Sequence, residues 1–165
     1  MTIPVLPMPS LRPIPIVTRG LSFWCKVWVL LTAVRRWELT DNWFFILPNG
    51  QVIMIPRGFI MDGVSAPKFL WGLLDPVGIL LIQGIIHDHG YRYDYLWAFD
   101  KDRNLYKLHL GAGRKFWDDL FLDVGNDLLD MQVTGYISWA ALRLLGWIAW
   151  NKNRRLADAD IVIHY

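Results

Sequence analysis

The stretch GIIHDHGYRYD, residues 84–94, is where the reading of the fold turns. An apolar run suited to a core ends in His-Asp-His, then in tyrosines and charge, and burying that mixture needs a reason. On a helical wheel of about 100° per residue, residues 79–94 place Gln83, Gly84, His87, Gly90, Tyr91 and Asp94 within an arc of roughly 120°. Ile79, Leu80, Leu81, Ile82, Ile85 and Ile86 fill most other directions, which leaves one polar seam on an apolar helix. Two seam glycines would let another backbone, a water or a substrate approach the imidazole of His87. His89 lies nearly opposite and reads as a surface or packing residue, while Asp88, about a quarter turn away, can reach a cation beside the helix.

The partner for His87 comes from the next helix. Residues 116–131 carry a broad apolar arc in which Asp118 sits, whereas Asp119 points to solvent. A lone carboxylate in an apolar stripe needs a partner. If the two helices pack antiparallel, Asp118 accepts from one ring nitrogen of His87 and leaves the other for general-base work on water. The competing interpretation is an ordinary buried His–carboxylate pair that fixes helix register.

Around this pair the chain reads as α+β. Residues 26–56 are expected to form a small antiparallel sheet: KVWVLLTAV is β-branched and aromatic, and WFFIL, PNG and QVIMIP form a hairpin pattern with Asn49-Gly50 in left-handed conformations. RGFIMDGVSAP is a loop, and KFLWGLL a short helical turn. Asp75-Pro76 caps a helix running over residues 77–94, LWAFDKDRN is a charged connection, and residues 113–131 and 134–150 are two further helices. Three segments result: an extended Pro-rich arm (1–20), one domain (21–155) and a tail (156–165).

Composition bounds the function. The chain has 165 residues, 54% of them hydrophobic and 19% charged, which suits one domain with a large core. Its formal charge of +2, without a basic stripe, argues against nucleic acid. Ten tryptophans suit a dense core, a partner surface or lipid. The one cysteine, Cys25, makes no internal disulfide and, in its apolar stretch, is expected to be buried and inert. The first 17 residues hold five prolines and no basic start, so no signal peptide is expected. Residues 134–150 include Arg143 and fall short of roughly twenty apolar residues, so a core or interfacial helix is expected there.

IPRGFIMDGVSAP, then IIHDHGY, then DDLF and ALRLLGW resemble, in that order, a family of small uncharacterised proteins encoded by tailed phages and prophages. That resemblance covers roughly residues 26–150 and implies a host-cytoplasmic or virion location. More locally, DGVSAP, HDHGYRY and a helix with an inward Asp are similar to the calcium-dependent phospholipase A2 superfamily of bacteria and fungi. This second resemblance implies that His87 activates water, Asp118 orients it, Tyr91 bonds into the same network, and Asp62 and Asp88 hold Ca²⁺, which takes hard oxygen ligands. The disulfides flanking the His helix in the secreted enzymes have no counterpart here. Ser65 reads as a helix N-cap ahead of Pro67.

A metal-dependent phosphohydrolase lacks an earlier His, and a serine hydrolase lacks its Gly-x-Ser-x-Gly elbow. The expectation is therefore a phage accessory or virion protein that binds a phage or host protein through its Pro-rich arm and Trp-rich surface. Calcium-dependent ester hydrolysis at a lipid surface is the alternative.

Overall fold

The structure, a computed structural model, describes residues 8–33, 36–61, 80–129 and 132–156. These form α+β architecture with seven strands and four helices among the described residues. Strands β1 (Leu11–Ile14), β2 (Arg36–Leu39) and β5 (Ile60–Met61) make one antiparallel sheet in the order β1-β2-β5. Strands β3 (Trp43–Ile46), β4 (Val52–Ile55), β6 (Leu96–Phe99) and β7 (Leu105–Leu108) make a second, in the order β3-β4-β6-β7. Four helices accompany them: α1 (Phe23–Thr32), α2 (Leu81–Tyr93), α3 (Arg114–Leu129) and α4 (Gln132–Leu156).

The β3–β4 hairpin forms where its alternating apolar residues place it. Trp43 and Phe45 face the core while Phe44 and Ile46 face out. The turn differs in detail from expectation, because only Gly50 is left-handed (φ 82°). Gly50 N–H donates to the Leu47 carbonyl, and the Asn49 side chain instead accepts from the Gln51 amide.

Four segments depart from the sequence reading, the first being RGFIMDGVSAP, in which Ile60–Met61 is strand β5 paired with β2 rather than loop. KVWVLLTAV lies largely in helix α1 rather than in a strand. Ser22 caps it by accepting from the Cys25 amide, and no Gly or Pro interrupts the ten residues that follow. Cys25, expected inside, is exposed. LWAFDKDRN is not a connection: Leu96–Phe99 is a strand of the larger sheet, and Asp100 closes its turn by accepting from the amides of Asp102 and Asn104. Part of the Pro-rich arm is also tied down, since Leu11–Ile14 pairs with β2 and Arg12 bridges to Glu38 at 2.7 Å.

The core is shared between sheets and helices. Leu39, Phe45, Ile53 and Ile55 pack with Ile85, Ile86 and Trp117 in one buried cluster. Helix α2 is central: it touches α3, α4, β5 and β6, and both its faces are covered.

Candidate functional site

The antiparallel pairing of α2 with α3 is held at four levels. Gln83 lies against Gly125, His87 meets Asp118 and Phe121, Gly90 meets Trp117, and Asp94 reaches Gly113. The last of these is the anchor. Asp94, at φ 60°, ends α2 in the left-handed region, and its Oδ1 accepts from the Gly113 amide at 2.9 Å and from the Trp117 indole at 2.7 Å. The carboxylate that turns the chain out of α2 thereby sets where α3 begins.

At the level of His87 the seam becomes a polar network. His87 Nε2 is 3.2 Å from Asp118 Oδ1, and the Tyr91 hydroxyl donates to the same oxygen. Asp118 Oδ2 accepts from Arg143 of α4 at 3.3 Å and lies 3.6 Å from Arg114 Nη1. Arg114 also donates to the carbonyls of Leu142 and Arg143. Asp118 is 0% exposed and His87 5%, so three helices converge on a carboxylate with no access to solvent. Gly146 of α4 makes room: a Cβ there would lie 2.5 Å from the Tyr91 hydroxyl oxygen.

The electrostatics follow from these contacts. Burial pushes the Asp118 carboxyl up, but the hydrogen bonds from His87 and Tyr91 and the charges of His87 and Arg114 outweigh it and hold the group below the usual range. Burial likewise pushes His87 down, and the carboxylates of Asp118 and Asp88 outweigh it and raise the imidazole. Tyr91 is held far above its usual value by burial and by its bond to Asp118, so it stays a donor. An ionised Asp118 only accepts, which assigns the Nε2 proton to His87 whether the ring is neutral or cationic. The other nitrogen, Nδ1, faces Asp88 Oδ1 across 3.8 Å, beyond direct hydrogen-bond reach.

His87, Asp118, Tyr91 and Asp88 therefore come together. Asp62, the other expected cation ligand, lies outside the described residues, as do Ser65, Pro67 and Asp75-Pro76. Among the described residues no three His, Cys, Asp or Glu side chains gather as a metal site, so Asp88 alone stands for the calcium half-site. Gly90 is not open to a ligand as expected, because the Trp117 indole occupies the place of its missing side chain. His89 is a packing residue: Nδ1–H donates to the Tyr95 carbonyl, and Phe59 and Tyr93 flank the ring. Asp119 is tied to Lys115 and Trp139 rather than simply solvated.

Sequence reasoning missed Arg114 and Arg143. A lone arginine within an apolar helix was the available signal for Arg143. Arg114, at the first turn of α3, carried none beyond its four-residue spacing from Asp118.

A family model described as a protein of unknown function, DUF1353, matches residues 37–142. That span holds His87, Asp88, Tyr91, Asp94, Arg114 and Asp118 and stops one residue before Arg143. No curated protein and no solved structure matches the chain.

Proposed function

The chain belongs to that family, and from the geometry of its buried dyad we propose that it is an ester hydrolase in which His87 is the general base and Asp118 its orienting carboxylate. One observation carries the reading: Asp118 engages Nε2 and leaves Nδ1 without a direct hydrogen bond among the described residues, 3.8 Å from Asp88 Oδ1. A water at Nδ1 gives its proton to that nitrogen as its oxygen attacks the ester carbonyl carbon. The tetrahedral adduct then collapses with cleavage of the ester C–O bond, and the departing alcohol takes the proton back from Nδ1. Asp118 holds the ring throughout and stabilises the transient imidazolium. The likeness of the ordered motifs to calcium-dependent phospholipases A2 supports a lipid ester as substrate. Calcium belongs to the proposal through Asp62 and Asp88, where it would polarise the carbonyl. In this reading the protein is a phage-encoded accessory or virion component.

The test is release of fatty acid from phospholipid vesicles, with calcium and with chelator. His87→Asn is expected to lower the rate by about 10² to 10⁴, the usual size of a lost general base, in a variant that still shows a cooperative melt. Because His87 is raised and works as a base only when neutral, the rate should climb with pH through a midpoint above 6.5. No release by the folded protein at millimolar calcium ends the proposal.

A second reading has its own observation: Asp118 collects bonds from α2 and α4 while lying on α3. A network of that kind can fix helix register without chemistry, in a protein whose role is binding or assembly. It predicts wild-type function in His87→Asn whenever the fold is retained.

A further inference from the structure

The least expected surface is α1. Helices of globular proteins turn residues spaced i, i+3, i+4, i+7 toward a core, and here that set is Leu21, Trp24, Cys25 and Trp28. All four are exposed, Trp24 to 78% and Trp28 to 70%, and Phe23 beside them to 70%. They border a shallow apolar groove completed by Val27 and Val29. Among the described elements none packs extensively on α1.

Charge says what covers it. No Asp or Glu precedes Glu38, while Arg19 and Lys26 lie within or next to the helix, are exposed, and meet no carboxylate among the described residues. The pattern recurs on α4, whose outer face exposes Leu144, Trp147 and Ile148, with no acid between Asp130 and Asp158. In the sequence, all carboxylates lie in residues 38–130 or in the last eight, outside both α1 and α4. The centre of a protein interface is depleted of lysine, whereas here Lys26 lies in the sequence between the exposed Trp24 and Trp28. Tryptophan with cations of one sign is the chemistry of an anionic lipid surface: indoles settle at the headgroup level and Lys or Arg meets phosphate. Ten residues of helix reach about 15 Å, half of a bilayer core, and no described helix is long and apolar enough to cross a membrane. The helix would lie in the interface, not through it.

We infer that α1 docks the protein on an anionic phospholipid surface through Phe23, Trp24 and Trp28, with Lys26 and Arg19 supplying the charge. This deepens the proposed function by naming the surface where substrate is met, and rests on that reading for this link alone.

Binding is measured without turnover, using the full-length chain and its His87→Asn variant in sedimentation with vesicles of phosphatidylglycerol and phosphatidylcholine, and with phosphatidylcholine alone. Both proteins should sediment with the anionic vesicles and much less with the neutral ones, and about 0.5 M salt should weaken the association. Phe23→Ala/Trp24→Ala should bind about tenfold more weakly, and Lys26→Glu should also lose affinity, each with the wild-type melting curve. Absence of binding to anionic vesicles overturns the inference, and so does undiminished binding by the double variant. So does a dimer in light scattering that the double variant dissolves, because the face then belongs to a second copy. Vesicle binding without fatty-acid release leaves docking standing and removes only the hydrolysis.

Discussion

Asp118 shows how one residue can be both legible and underestimated. Its place in an apolar stripe announced a partner, and His87 is there at 3.2 Å. Yet Tyr91, Arg114 and Arg143 share the carboxylate as well. Removing it strands two guanidiniums and an imidazole around a cavity, so Asp118→Ala should lose about 3 to 5 kcal/mol of unfolding free energy in urea titration. Asp118→Asn keeps the shape and some bonds and should lose less, while under the hydrolytic reading it still impairs the rate. A melting curve untouched by Asp118→Ala would show that the network holds nothing together.

Among the elements, the α2–α3 pair depends on absent side chains as much as present ones. Trp117 is fully buried and cannot retreat, so a methyl at Gly90 collides with its indole. Alanine gains about 1 kcal/mol in helix propensity, but overpacking typically costs about 1 to 3 kcal/mol, and Gly90→Ala should be net destabilising in thermal melts. Gly125→Ala should be milder, because it meets the amide end of Gln83, which can swing. The same scale explains the misread segments. Residues 26–33 have strand-like composition, but Ser22 supplies a cap and nothing breaks the helix, and local propensity yields to that context. DKDRN looked like solvated linker because its role as a turn rests on Asp100 bonding forward to Asn104 and on Arg103 at φ 64°, neither of which composition displays.

At the scale of the whole molecule, two histidines two residues apart couple the fold to pH in opposite senses. Burial pulls His89 down to about 3, so the folded protein keeps it neutral while the unfolded chain protonates near 6.5. Its contribution is complete above 6.5 and is lost as pH falls from there toward 3. His87 is raised, so its contribution is complete below 6.5 and is lost as pH rises through its higher folded value. Urea unfolding at pH 7.5 and pH 5 should show the His89 part as about 2 kcal/mol of lost stability in the wild type, absent from His89→Gln. Equal losses in the two proteins would mean that His89 does not report the acid side.

What the amino-acid order determined by itself was whatever local periodicity can encode. The apolar flanks and polar seam of residues 81–93, the lone inward carboxylate at Asp118 and the alternation of the β3–β4 hairpin all follow from spacing along one element. Tertiary structure decided the rest, since those features depend on distance between segments remote in sequence. Arg143 reaches Asp118 across 25 positions, Asp94 reaches Trp117 across 23, and β6 joins a sheet begun more than forty residues earlier. Spacing tells a side chain which way to face; only packing tells it what it meets.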